Sequence, residues 1–319
     1  MSAERPTGPA LDLTAAEPLL RRLELIVRNK LDGLLQGNYV GLVPGPGSEA
    51  GESRQYSAGD DVRRMDWPVT ARTTVPHVRQ TIVDRELETW LVVDLSPSLD
   101  FGTGLTEKRE LVLAAITAVV HLTVRGGNRI GAVVSNGEDT YRIPALPGSA
   151  HARHLVRRIA ATPRVAGYRS GDLAAMLESL RRPQRRRGLV AVVSDFLDSA
   201  SLEQTPAWER PLRALSLHHQ LLGVEVVDPR ELELPAAGLV TFADPETGRQ
   251  LEVQTDSASV RRDYAAAAAA QRAAIAAALR HAGAAHLQLR TDRDWVTEVV
   301  RFVVARRHLG GGSRMAALR

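Results

Sequence analysis

Asp94-Leu95-Ser96-Pro97-Ser98 sets one carboxylate and two hydroxyls at alternate positions. If this loop curls over the end of a strand, three hard oxygens turn toward one point. Mg²⁺ takes six oxygens at roughly 2.0–2.1 Å and usually keeps several of them as water. One carboxylate beside two neutral hydroxyls leaves such an ion underneutralised, so an acidic group from outside is its natural completing ligand. The same residues also suit a turn in which Asp94 caps the next helix, and spacing alone does not separate the two readings. A second carboxylate, Asp195, follows the apolar run Val190-Ala191-Val192-Val193-Ser194, again with capping or a turn as the alternative. Ser170, in Tyr168-Arg169-Ser170-Gly171-Asp172, is a further oxygen candidate and equally suits the N-cap of a helix starting near Leu173.

The motifs that are missing narrow the chemistry. With no Cys, disulfide frameworks, thiolate metal sites and thiol nucleophiles are excluded. No GxxxxGK[ST], HExxH or GxSxG is present. Gly102-Thr103-Gly104-Leu105-Thr106-Glu107 begins like a dinucleotide fingerprint, but Glu107 stands where the last glycine belongs. No complete catalytic motif remains, so a non-catalytic role is expected. The enzymatic rival is a metal-dependent phosphohydrolase with Asp94 as nucleophile. That chemistry usually wants a second carboxylate two residues on, where this chain has Ser96.

A nucleic-acid-binding protein is the other rival. It rests on a pI of 9.8, although the net charge is only +4, from 41 basic against 37 acidic residues. Arginine supplies 39 of the 41, which fits a coding bias better than a phosphate-binding surface. The run Arg181-Arg182-Pro183-Gln184-Arg185-Arg186-Arg187 holds no aromatic residue on which a base could stack. No nucleic-acid partner is expected. The longest apolar stretch, residues 111–124, is well short of the ~20 residues that a membrane span requires. The first 18 residues lack the basic start and apolar run of a signal peptide. The expectation is a cytoplasmic protein without membrane insertion.

Positioning those oxygens is the work of the surrounding elements. Residues 1–18 lack apolar periodicity and read as a disordered leader. Leu19, Leu20, Leu23, Ile26, Val27, Leu31, Leu34 and Leu35 recur at helical spacing up to Gly37. From 39 to 83, Gly, Pro and Asp punctuate short β-branched pieces, as in a β-rich subdomain spanning 19–87 with its leading helix and no other obvious helix. Strand and helix patterns then alternate over 88–308, and the buried strands read as wholly apolar runs. That rhythm predicts an α/β domain with an open, doubly wound, mostly parallel sheet. A hairpin insertion is expected near 238–254 and a flexible tail over 309–319, opened by Gly310-Gly311-Gly312.

Tyr56-Ser-Ala-Gly59-Asp60-Asp61-Val-Arg63-Arg64-Met-Asp66-Trp67-Pro-Val-Thr70-Ala71-Arg72 closely resembles the hallmark block of the bacterial domain-of-unknown-function 58 family. Leu95-Ser96-Pro97-Ser98-Leu99-Asp100-Phe101-Gly102 and Val193-Ser194-Asp195-Phe196 resemble further blocks of it. The resemblance covers roughly residues 20–305. It implies a von Willebrand factor type A-like, Rossmann-type domain with a metal-ion-dependent adhesion site (MIDAS), in which Asp94, Ser96, Ser98 and Asp195 hold Mg²⁺ or Mn²⁺. Where relatives often carry Gly-Thr-Asp-Leu, this chain has Ser170-Gly171-Asp172-Leu173, with Gly171 at the threonine. The resemblance also implies a MoxR-type AAA+ ATPase as partner. The expected function is a metal-ion-dependent protein interaction module that works with such a motor in assembly or remodelling. Within the hallmark block, Asp60, Asp61 and Asp66 alternate with Arg63, Arg64 and Arg72, so bidentate pairs could form a structural network with Trp67 buried beside it. A partner surface is the other reading of that block.

Overall fold

Both faces of a parallel sheet are covered by helices, so its strands must be apolar on both sides. The strand β4 (Gly188–Ser194) is buried at all seven positions, and only its last residue, Ser194, is polar. The computed structural model describes residues 13–27, 53–57, 65–79, 87–124, 128–165, 171–181, 188–197, 205–243 and 248–316. The chain divides into two units, Pro44–Glu86 and the remainder, Met1–Val43 with Leu87–Arg319.

The larger unit is built on β1 (Glu88–Asp94), β2 (Arg129–Ser135), β3 (Thr140–Pro147), β4, β5 (His219–Val227) and β6 (Ala284–Arg290). They form one sheet in the order β3-β2-β1-β4-β5-β6. Every neighbouring pair is parallel except β2 and β3. In this doubly wound order the winding reverses between β1 and β4, and ligands of such folds bind outside the carboxyl ends of the strands at that switch point. Asp94 is the last residue of β1 and Asp195 directly follows β4. At the opposite end of the same two strands, a Cβ on Gly188 would lie 1.8 Å from the Glu88 carbonyl oxygen, so only glycine allows this approach.

Among the described residues, seven helices accompany the sheet: α1 (Leu13–Ile26), α2 (Lys108–Val124), α3 (Ser149–Ala160), α4 (Leu173–Arg181), α5 (Glu209–Leu215), α6 (Ala258–His281) and α7 (Trp295–Ala316). Alternate strand residues sort them into two layers. Leu91, Val93, Ala191, Val193, Val224 and Val226 face α1, α2, α3 and α7. Trp90, Val92, Val190 and Val192 face α4, α5 and α6. Because α2 is apolar nearly all round, it suits a central place in the core, and it packs against β1, β2, β4, β5 and β6. Its first residue, Lys108, is thereby fixed near the strand tips.

Several expectations need correction. Helix α1 begins at Leu13, inside the stretch read as a disordered leader. The segment Leu13-Thr14-Ala15-Ala16-Glu17 lacks apolar periodicity, but Ala, Leu and Glu are strong helix formers. Leu20, Leu23 and Val27 then bury it in the α/β core, so this helix belongs to the larger unit and not to a β-rich subdomain. Helix α7 runs on to Ala316 through the three glycines assigned to a tail, and no described contact accounts for the extension. Strands Leu239–Ala243 and Gln250–Gln254 pair antiparallel as a two-stranded sheet of their own. No helix among the described residues is long and apolar enough to cross a membrane.

The smaller unit pairs Ser53–Gln55 with His77–Arg79, and Met65 bridges to Val78. It also holds a helix, Trp67–Thr73, where none was expected. The Asp66 carboxylate caps it by accepting the Val69 N–H at 3.3 Å, and a proline stands in the first turn, where a missing N–H costs nothing. Trp67 starts this helix 65% exposed instead of buried, because the seven-residue helix buries no side chain. Arg72 lies exposed in its last turn. Asp60, Asp61, Arg63 and Arg64 lie outside the described residues, and so do Ser170 and Arg182–Arg187.

Candidate cation site at the strand tips

The carboxylate that ends β1 is held from two sides. Its Oδ1 accepts the Ser96 N–H at 2.9 Å, and its Oδ2 accepts the hydroxyl of Ser194, the last residue of β4, at 3.0 Å. Asp94 therefore closes a local turn of the kind that aspartate favours, and it also ties the two strand tips together. The loop continues into a 3₁₀ turn, Pro97–Leu99, which brings the Ser96 and Ser98 hydroxyls within 3.2 Å of each other. All three side chains are buried, with Asp94 only 6% exposed.

At the tip of β4, Asp195 accepts the Leu197 N–H through Oδ1 at 3.2 Å and the Lys108 ammonium through Oδ2 at 2.9 Å. Phe196, between them, takes φ of 56° and is buried against Trp208 in an edge-to-face contact. A left-handed conformation is strained for so bulky a residue, and such strain gathers at functional sites. The structure thus brings together Asp94, Ser96, Ser98 and Asp195. It leaves Asp66, Trp67 and Arg72 in the smaller unit.

Lys108 and Glu231 were not anticipated. Besides Asp195, the Lys108 ammonium reaches the Ser98 carbonyl at 3.1 Å and Glu231 Oε1 at 2.6 Å, and the side chain is fully buried. The one signal in the sequence was rarity, since Lys108 is one of two lysines beside 39 arginines. Glu231 belongs to a capping box on Pro229–Glu231, where its Oε2 accepts the Asp228 N–H at 3.0 Å. Beyond it the buried polar groups continue. Arg272 lies 3.6 Å from Glu231 and 3.1 Å from the buried Glu225, which His286 and Gln288 also reach at 2.8 and 3.0 Å.

These surroundings push the two aspartates in opposite directions. Burial lifts the Asp94 carboxyl above its ordinary pKa and the nearby Asp195 charge lifts it further, while hydrogen bonds from Ser96 and Ser194 offset part of the rise. Burial also acts to raise Asp195, but the charge and hydrogen bond of Lys108, with hydrogen bonds from Ser98 and Leu197, together outweigh it and hold this carboxyl below its ordinary range. Lys108 is drawn down by burial, and the charges of Asp195 and Glu231 more than reverse that, leaving it above the usual lysine value.

No cation among the described residues pairs with Asp94, and no cluster of three or more His, Asp or Glu side chains there is placed to hold a metal. What the strand tips offer is a buried, uncompensated carboxylate beside two hydroxyl oxygens. Such hard donors suit Mg²⁺ or Mn²⁺. Gly171 stands directly beside the carboxylate, where a Cβ would come within 3.0 Å of Asp94 Oδ1. It contributes no side-chain ligand.

Comparison with known proteins extends this description. Residues 52–274 match the family described as "Protein of unknown function DUF58". An uncharacterized protein of Mycobacterium bovis is 54% identical over 288 residues, covering 90% of this chain and 89% of its own length. Among solved structures, the conserved hypothetical protein BatB from Bacteroides thetaiotaomicron aligns over 69% of this chain and 98% of its own, with 12% identity and a TM-score of 0.43. The SpRpn10 VWA domain aligns over 67% of this chain and 93% of its own, with 9% identity and a TM-score of 0.38.

Proposed function

The chain belongs to the DUF58 family, and from that premise we propose that it is a non-catalytic protein interaction module whose contact with its partner runs through a divalent cation at the strand tips. The supporting observation is the Asp94 carboxylate, buried at the switch point of a doubly wound sheet with two hydroxyls beside it and no cationic partner among the described residues. Asp94, Ser96 and Ser98 would hold Mg²⁺ or Mn²⁺ in the manner of a MIDAS, with Asp195 beside them. When bound, the ion would supply an electrophilic position that an acidic side chain of another protein can complete. The family resemblance names a MoxR-type AAA+ ATPase as the first partner to test.

Calorimetric titration with Mn²⁺ tests the first half of this reading. Asp94→Ala is expected to abolish the binding signal while circular dichroism stays unchanged, and undiminished binding by the variant would move the site elsewhere. Affinity for the ATPase is expected to fall by about 1–3 kcal/mol on chelation and on Asp94→Ala alike, an ordinary size for a linkage effect. Binding that ignores both would assign the contact to another surface, with the Gly59–Arg72 block first in line. Turnover of a phosphate ester that depends on Asp94 would replace the module with the phosphohydrolase reading.

A further inference from the structure

Lys108 presents three N–H donors and no acceptor. Its three acceptors are the Ser98 carbonyl, Asp195 Oδ2 and Glu231 Oε1, at 3.1, 2.9 and 2.6 Å. Every donor is used, and none is left for Asp94. A compact ammonium suits three converging oxygens from three directions, whereas a planar guanidinium favours two parallel bonds to one carboxylate. That difference gives a reason for a lysine at this position in a chain that otherwise uses arginine almost throughout.

The consequence lies in the charge count at the strand tips. Asp94 and Asp195 act on each other electrostatically, so without compensation the cluster would carry two buried negative charges. Lys108 offsets the Asp195 charge from within the chain, and its other carboxylate partner, Glu231, has the Arg272 guanidinium 3.6 Å away. We infer that Lys108 is a built-in counter-cation that does for Asp195 what the divalent ion does for Asp94, so that the strand tips fold without the ion and the ion meets a single unpaired carboxylate. This rests on the proposed cation site and adds a positioning residue to it: Lys108 acts through Asp195 and Ser98, not by touching the ion. An ion held by one carboxylate and neutral hydroxyls binds weakly and keeps its positive charge, as capture of an outside acidic group requires.

The test uses Mn²⁺ alone, with affinity read by calorimetry and stability by thermal melting in chelator and in excess Mn²⁺. The parent protein is expected to melt only slightly higher in Mn²⁺ than in chelator, the linkage expected of a weakly bound ion. Lys108→Met is expected to melt markedly lower in chelator, to recover about half or more of that loss in Mn²⁺, and to bind Mn²⁺ on the order of tenfold more tightly, because Asp195 is now uncompensated. Adding Asp195→Asn to Lys108→Met removes that extra charge, so the gain in affinity should vanish. If Lys108→Met does not fold, Asp195→Asn alone decides. Its charge is already neutralised in the parent, so the variant should lose less than about threefold in Mn²⁺ affinity.

The inference is overturned if Lys108→Met melts equally low in chelator and in Mn²⁺ with unchanged affinity, or if Asp195→Asn loses as much as Asp94→Asn. Asp94→Asn tests the underlying reading separately. Should it bind Mn²⁺ as the parent does, the cation site itself fails, whatever Lys108 contributes.

Discussion

The tips of β1 and β4 lie side by side in one sheet and each delivers a buried aspartate, yet the two are treated in opposite ways. At β4 the chain supplies a counter-ion from α2, and Asp195 is held charged. At β1 it supplies hydrogen bonds from Ser96 and Ser194 but no cation among the described residues, and ionised Asp94 remains costly. Equal burial therefore does not imply equal purpose. A carboxylate given its own cation serves the fold, whereas one left without a cation keeps an unmet demand that a ligand can fill.

The largest expected effect tests the β4 side. Lys108→Met in chelator at pH 7 should lose about 3–5 kcal/mol in urea unfolding, the usual cost of removing one partner from a buried ion pair. A loss below 1 kcal/mol would erase the contrast between the tips. Next come the isosteric amides, which should move stability in opposite directions. Asp195→Asn should cost about 1.5–3 kcal/mol by weakening a charge-assisted hydrogen bond. Asp94→Asn, without metal, should be stabilising, because it removes a charge that burial and the neighbouring Asp195 make costly. Destabilisation by Asp94→Asn in chelator would mean that Asp94 is a structural charge like Asp195.

Varying pH sharpens the same comparison. Asp94 titrates above its ordinary 3.8 in the folded state, so its contribution to stability is fully present below 3.8 and is lost as pH rises through the raised value. The advantage of Asp94→Asn should thus be absent in acid, grow across that window and level off. Asp195 titrates below 3.8, so its contribution is present above that value and is lost as pH falls through the lowered one. Urea unfolding followed across the acid range should show the deficit of Asp195→Asn fading only there. The smallest effect belongs to Ser194→Ala, which removes the hydroxyl joining Asp94 to the Phe196 N–H and should cost about 1 kcal/mol in the same unfolding measurement.

The alternation of strands and helices from residue 88 onward, the positions of Asp94 and Asp195 at strand ends and the hydroxyls of Ser96 and Ser98 were all legible along the chain. These are local properties: a buried parallel strand needs an unbroken apolar run, and a run that stops at a carboxylate marks where the strand leaves the core. Local patterns also misled, because the exposure of Trp67 and the burial of α1 depend on what each element packs against. The contrast between the two aspartates was decided only by tertiary structure. Lys108 stands 87 residues from Asp195 and 123 from Glu231, and they meet because the sheet order sets β4 beside β1 and α2 lies across both. Charge compensation acts over a few ångströms of low-dielectric interior, and such distances exist only after the chain has folded.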